Sequence, residues 1–347
     1  MAKKALIVGA GLAGTCLAHQ MISKEIEITM LDQGSNHSSA IAAGMVNPMV
    51  FRRMNKSWRL DEFLPEARVF YQEIEQLLHM KFYRPIVIRR FFSSLDEREN
   101  WQRKSVLDEY AEYLEKLTLE DLEHQSAKNL FGSGRVRHAF WIDAANWVNA
   151  HKSYFRKSGV LLQEEFNDAV WHPETRTYSG VSYDYVVFCL GYRQKEELTF
   201  SFLPLQQTKG QTLLIESAVL SETESLNRKC FVLPHGDGRF RVGATYEWNN
   251  STLHTTPEAR EQLLQNLSSL GDYQPNVIDQ VAGVRPTVLD RRPLMGQHPD
   301  YQQVFIFNGL GTKGYMMAPT LARELTELIT LNKPLHPETD ISRFTGK

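Results

Sequence analysis

The sequence predicts an α/β fold in which a Rossmann-like domain is interleaved with a second, α+β domain carrying a mixed or antiparallel sheet. Three observations lead there. Short apolar runs without polar alternation, Ala5-Leu6-Ile7-Val8 and residues 185–190, read as strands buried on both faces of a parallel sheet. Glycines at 9, 11 and 14 separate the first run from an apolar helical face at Ala13, Leu17 and Met21, spaced by four. At 347 residues the chain also exceeds the roughly 250–300 at which a single hydrophobic core stops growing.

The elements follow in order. A second apolar run, residues 26–31, ends at Asp32 and completes a β-α-β unit. Character changes from about 49 to 137. Phe63, Phe70, Ile74, Leu77 and Leu78 recur at helical spacing, Arg89-Arg90-Phe91-Phe92 has strand character, and the charged stretch 96–123 is expected to be helical. Residues 147–157 form a helix leading into Gly159-Val160-Leu161-Leu162, and 185–190 is a buried strand ending at Gly191. Strand-like runs follow at 211–215, 230–233 and 240–242. Thr256 then caps a helix with Pro257 at its first position and Leu263, Leu264, Leu267 and Leu270 on its apolar face. A strand at 304–307, a glycine loop and a helix over 319–331 close the chain. The nucleotide-binding domain is accordingly assigned to 1–50, 141–198 and 282–347, and the substrate (cap) domain to 51–140 and 199–281.

Composition excludes several classes. Lys and Arg total 39 against 41 Asp and Glu, so no whole-molecule positive field favours nucleic acid. Cys16, Cys189 and Cys230 are widely spaced, form neither a metal-type pattern nor an even disulfide framework, and favour a reducing compartment. No metal site is expected. The start, Met1-Ala-Lys-Lys before an apolar stretch, has the outline of a secretory leader, but the glycine spacing and Asp32 fit a dinucleotide fold better. No stretch reaches the ~20 apolar residues that span a bilayer, which points to a cytoplasmic protein with no membrane partner.

Gly9-Ala10-Gly11-Leu12-Ala13-Gly14 matches GxGxxG. The first glycine permits a tight turn, the second lets backbone approach a pyrophosphate, and the third lets helix pack on strand. The helix start offers unpaired N–H groups and a positive dipole end to phosphates. Asp32, 23 residues after the first glycine, is placed to accept from ribose hydroxyls. The fingerprint alone does not separate FAD from NAD.

Four further blocks do. Ser38-Ser39-Ala40-Ile41-Ala42-Ala43-Gly44-Met45 resembles the stretch after the second strand in D-amino-acid-oxidase-type flavoproteins, and its AAGM is similar to glycine oxidases. Leu233-Pro234-His235-Gly236-Asp237-Gly238 with Val242-Gly243-Ala244-Thr245 resembles that family's hairpin. Gly283-Val284-Arg285-Pro286 with Asp290, Pro293 and Gly296 resembles its G-x-R-P motif. Asn308-Gly309-Leu310-Gly311-Thr312-Lys313-Gly314 with Ala318-Pro319 resembles its last flavin loop and helix start. The blocks keep the family's order and span nearly the whole chain.

The resemblance implies non-covalent FAD. The cofactor set is Gly9, Gly11, Leu12, Ala13, Gly14, Asp32, Gln33, Ser38, Ser39, Ala43, Gly44, Met45, Phe166, Gly191, Gly311, Thr312, Lys313, Gly314 and Tyr315. Within it, Ser38 and Ser39 donate to the pyrophosphate or else form a polar cap, and the backbone of 43–45 lies along the flavin. Phe166 packs on adenine or simply fills core. Donors of the glycine loop stabilise negative charge on the reduced ring, and Lys313 adds a full charge there or is solvated.

Arg285 anchors a substrate carboxylate through its guanidinium fork; the competing reading ties it to Asp290 or another acid near the domain seam. Tyr246 lines the pocket or packs on the sheet. Phe231 stands where glycine-oxidase-like proteins carry a tyrosine, a departure that removes a hydroxyl. His138, His151 and His235 are not needed as bases.

The implied activity is oxidation of a small amine or amino acid carrying a carboxylate. Hydride passes from the α-carbon to flavin N5, the imine is hydrolysed, and dioxygen returns the flavin to its oxidised form with release of hydrogen peroxide. Three alternatives remain. One is an oxidase acting on a carboxymethylaminomethyl-type wobble uridine of tRNA, because the 309–314 motif is also similar to the oxidase half of a bifunctional tRNA-modifying enzyme and Arg52, Arg53, Lys56 and Arg59 cluster. The others are a dehydrogenase using an acceptor other than oxygen, and a non-catalytic flavin-binding module. The sequence leaves the oligomeric state open.

Overall fold

The computed structural model describes residues 2–35, 37–118 and 127–345. A six-stranded sheet runs in the order Leu294–Gln297, Val304–Asn308, Tyr185–Phe188, Lys4–Val8, Glu27–Leu31 and Leu161–Leu162, parallel except between its first two strands. Ala5 and Ile7 enter one core with the helices Leu12–Ile22, Leu60–Leu78, Ala144–Lys157 and Gly314–Leu331. Leu6 and Val8 enter another with Phe188, Trp171 and Phe200. Burial on both faces is why the run lacks polar alternation. Glu27–Leu31 and Tyr185–Phe188 flank Lys4–Val8, so its carboxyl end is a topological switch point, the place where open α/β sheets bind ligands.

The second sheet has nine strands and is mixed. Its long strand Leu205–Glu216 pairs antiparallel with Asn276–Val288 along one edge and with Arg239–Gly243 and Glu247–Trp248 along the other. The sheet continues through Cys230–Gly236, Ser225–Arg228, Tyr83–Phe91, Ser133–Ile142 and Met45–Val46. Leu213, Ile215, Val232 and Val242 form a third core with Leu263 and Leu267 of the helix Pro257–Ser268. As the sequence indicates, Thr256 caps that helix, accepting from Ala259 N at 3.3 Å. Asn276–Val288 runs unbroken across the boundary expected at 281/282, and Met45 and Val46 pair with Trp141 and Phe140 of the large sheet.

Two expected helices differ. The stretch 96–123 is helical only at Leu95–Lys104 and Asp108–Ala111; Leu114 then bridges to Val136 and Glu115 N bonds Arg135 O, so sheet pairing takes over. Residues 119–123 of that expectation lie outside the described residues. The last helix begins at Gly314, five residues before the proline expected to start it. Pro319 lacks the N–H that would reach Tyr315 O. The hydroxyl of Tyr71 donates to that carbonyl instead, at 2.8 Å. Among the described residues no helix is long and apolar enough to cross a membrane.

Candidate functional site

A cavity of about 920 Å³ opens at the switch point and is lined by both sheets. Of the expected cofactor residues all but Gly14 line it, together with Arg285 and Tyr246. Gly14 lies behind the wall, where a Cβ would overlap the Gly9 carbonyl, which is the helix-on-strand packing role expected of the third glycine.

At the dinucleotide end, Asp32 is buried and accepts from Ala10 N at 2.9 Å and Gly34 N at 2.8 Å. Each oxygen keeps a further lone pair. The helix Leu12–Ile22 has Gly11 as N-cap and no side-chain capping bond. Ser39 Oγ accepts from Leu12 N at 3.0 Å, and its own proton remains to be donated. Ser38 differs from expectation: its hydroxyl donates to Val284 O at 2.5 Å, so its single proton is already used within the protein. Phe166 lies in the loop after Leu161–Leu162 and stacks on Tyr178 with ring centroids 5.1 Å apart, one flank lining the cavity.

The middle of the wall is backbone. Gly44 has φ +72°, and a Cβ there would collide with the Ile142 carbonyl; Ala43 O accepts from Trp141 Nε1 at 2.8 Å. These ties hold 43–45 flat along the cavity. Asn308 Nδ2 donates to Gly191 O at 2.9 Å, and Gly311 N donates to Pro286 O at 3.0 Å, fixing the glycine loop. Around the Cβ positions of Gly191 and Gly311 no heavy atom lies closer than 3.9 Å, so side chains there would fill the cavity. The helix Gly314–Leu331 points its start at the same space, again without a side-chain cap. Two helix starts, a buried carboxylate and bare backbone suit a long, pyrophosphate-bearing ligand such as FAD.

Lys313 is not solvated. Its Nζ donates to Asn47 O at 2.6 Å, Ser57 Oγ at 2.7 Å and Met49 O at 3.4 Å, and burial pulls its pKa down to about 8. Its three donors are thereby committed to the 47–57 segment. Tyr315 is buried, and its hydroxyl donates to Ser39 O at 2.9 Å.

Arg285 projects into the opposite end. Asp290 does not hold it, because that carboxylate pairs with Arg343 at 2.9 Å. Among the described residues no carboxylate pairs with Arg285. Its guanidinium reaches only Thr245 O, at 3.4 Å, and sits 4.6 Å from the Tyr246 ring centroid. Burial lowers its pKa from the usual arginine value, a measure of how little solvates the charge. Gly210 makes its space, since a Cβ there would strike the guanidinium. Sequence reasoning passed over Gly210, although a glycine inside a strand signals close approach.

Among the described side chains no histidine lines the cavity. His151 is fully buried with its Nε2 2.9 Å from that of His19, and His235 packs edge-on against Trp141. Cys189 and Cys230 do line it, both buried, and burial raises their pKa values, that of Cys230 to about 12. Among the described residues no group of three or more metal-type side chains exists.

A Rossmann-type switch point with a glycine cradle and, opposite it, an arginine without a carboxylate partner among the described residues defines a dinucleotide-dependent enzyme. Residues 4–328 match the family model described as DAO, FAD dependent oxidoreductase, and the chain belongs to that family. It is therefore an FAD-dependent oxidoreductase. A glycine oxidase of Bacillus licheniformis is 25% identical over 96% of this chain and 94% of its own length. The tRNA 5-methylaminomethyl-2-thiouridine biosynthesis bifunctional protein MnmC of Idiomarina loihiensis is 24% identical over 98% of this chain, which spans only 58% of that protein. The crystal structure of glycine oxidase from Geobacillus kaustophilus superposes with a TM-score of 0.82 at 18% identity, covering 99% of this chain and 98% of the other.

Proposed function

We propose that the protein oxidises a small amine carrying a carboxylate, with dioxygen as final electron acceptor. The observation that carries this reading is Arg285, a cation that burial strips of water, placed in the cavity with no carboxylate of the protein to neutralise it. FAD bound along the glycine wall would supply the hydride acceptor. A substrate carboxylate completes the guanidinium fork through bidentate, charge-assisted bonds. Tyr246 stacks on the outer face of that guanidinium and limits its swing. Phe231, whose ring presses on the Gly243 backbone, offers no hydroxyl, so Arg285 carries the carboxylate largely alone. The large sheet contributes no histidine or carboxylate to the lining that would take a proton from an ammonium, so the amine enters already neutral. The thiols of Cys189 and Cys230 are protonated and poorly nucleophilic at neutral pH, in keeping with FAD held without a covalent link.

The test is an anaerobic screen of small amines against flavin absorbance, repeated in air with peroxide detection. Arg285→Ala is expected to stay yellow and to lose carboxylate-bearing substrates selectively, by about 2–4 kcal/mol in kcat/KM, the worth of one or two charged bonds. Carboxylate amines that bleach wild type and variant equally would refute it.

A second reading has the same chemistry on a tRNA wobble uridine. Tyr246 and, in the strand Glu247–Trp248, Trp248 are 58% and 59% exposed, aromatic rings on which a base can stack. A salt-sensitive gel shift with tRNA selects this reading.

A further inference from the structure

We infer that the substrate carries a second anionic group, a carboxylate or a phosphate ester, which Arg52 and Lys229 hold at the cavity mouth. The inference rests on the amine-oxidation reading and names its substrate class more closely. The acids lining the cavity are confined to one end, where Arg193 is paired with Glu165 and Glu196. These acids, Asp32, Glu164, Glu165, Asp168, Glu196 and Glu197, all belong to the loops around the glycine fingerprint and the 191–197 turn. The other end presents Arg52, Arg90, Lys229 and Arg285, and no Asp or Glu. One carboxylate on Arg285 leaves that end positive.

The mouth cations adjoin one another through Arg90. Its guanidinium lies 5.2 Å over the ring of Phe51, the neighbour of Arg52, and donates to Asn227 Oδ1 at 2.8 Å, two residues before Lys229. Arg90 is itself neutralised by Glu97 at 2.7 Å. Other cations nearby are likewise spent: Lys56 on Asp61, Arg59 on Glu62 and Glu324, Arg89 on Glu224. Arg52 and Lys229 are exposed, and neither makes an ion pair among the described residues. Two uncompensated cations on the rim of a cavity whose inner wall is also cationic focus a positive potential on an entering anion. A zwitterionic amino acid answers only Arg285, whereas a dianion answers both ends.

The test uses the FAD-loaded protein and thioether analogues, which have no amine to oxidise, read by perturbation of flavin absorbance at equilibrium. Thiodiacetate, with two carboxylates, is expected to bind about tenfold more tightly than methylthioacetate, with one, since each exposed contact contributes about two- to fivefold. The advantage shrinks with added salt. It falls to about threefold in Arg52→Ala and in Lys229→Ala and disappears in the double variant, while Arg53→Ala, exposed and outside the cavity lining, keeps it. Inorganic phosphate that displaces thiodiacetate but not methylthioacetate supports a mouth selective for free phosphate-type anions. Displacement by tRNA far below the effective phosphate concentration supports the same subsite used by a polynucleotide backbone. Equal binding of the two thioethers, or an advantage that survives the double variant, overturns the inference and leaves the amine reading intact. Failure of Arg285→Ala to weaken methylthioacetate overturns the amine reading itself.

Discussion

Arg285 is aimed by a side chain that is missing. In the ladder between Leu205–Glu216 and Asn276–Val288, Thr208 faces Arg285 and Gly210 faces Gly283, so Gly210 lies two residues along the same face from the arginine's partner. The guanidinium folds over it, and a Cβ at 210 would meet three of its atoms. Gly210 is not among the positive-φ residues, so alanine costs its backbone little. The disturbance in Gly210→Ala falls on the flexible end of Arg285, which must recede by roughly an ångström. A misplacement of that size costs about 10²-fold in a well-oriented site. Losing one of two charge-assisted bonds gives a similar figure, about 1.5–3 kcal/mol. Titration of the FAD-loaded variant with methylthioacetate is expected to show binding weakened about 10–100-fold, with flavin content near wild type. Combined with Arg285→Ala, the two losses should be far from additive. A Gly210→Ala protein that binds as wild type, or one whose loss persists without the arginine, would refute the placement of the guanidinium.

Two more outcomes follow from the wall and the helix layer. Gly44→Ala puts a Cβ into the Ile142 carbonyl at φ +72°, so thermal melts should show at least about 1–2 kcal/mol of lost stability, and purified protein should carry less FAD per chain. His19 and His151 have pKa values lowered to about 4 and about 3, chiefly by burial, against about 6.5 when unfolded. The unfolded chain therefore takes up protons below pH 6.5 that the folded pair refuses until about 4 and 3, and stability falls as pH drops through that window. Each histidine adds at most about 1.4 kcal/mol per pH unit. Urea melts between pH 7 and 5 should show a shallower decline in His151→Leu, and an unchanged slope would contradict the account.

What the sequence disclosed and what it hid divide along sequence separation. The buried strands were legible because burial on both faces leaves an unbroken apolar run, and Thr256-Pro257 announced a helix because capping is local. Asp32 could be placed because a β-α-β unit spans few residues. The true start of the last helix was masked by Pro319, whose missing bond to Tyr315 O is replaced by Tyr71, 244 residues before Tyr315. No local pattern reports that bond. Ser38 resembled a phosphate donor until the large sheet brought Val284 O to its hydroxyl. Gly210 went unread, and its use emerges only when Asn276–Val288 lays Arg285 across it.

The short stretch 284–286 explains how an anchor on one sheet is registered against a cofactor cradle on the other. Val284 O accepts from Ser38 of the segment that follows the fingerprint, and Pro286 O accepts from Gly311 N of the glycine loop. Between these two ties, which lie in the plane of the strand, the Arg285 side chain projects from one face into the cavity. The distance from Arg285 to the cradle is thus set by two short ties to strand carbonyls, one from the Ser38 hydroxyl and one from Gly311 N, the kind of rigid support that holds bound groups in fixed relation. Residues farther along the large sheet, Phe231, Lys229 and Tyr246, are free of that constraint. On the proposed reading, changes there are expected to alter which amine fits while Arg285 keeps its place, so that specificity and orientation would rest on separate parts of the protein.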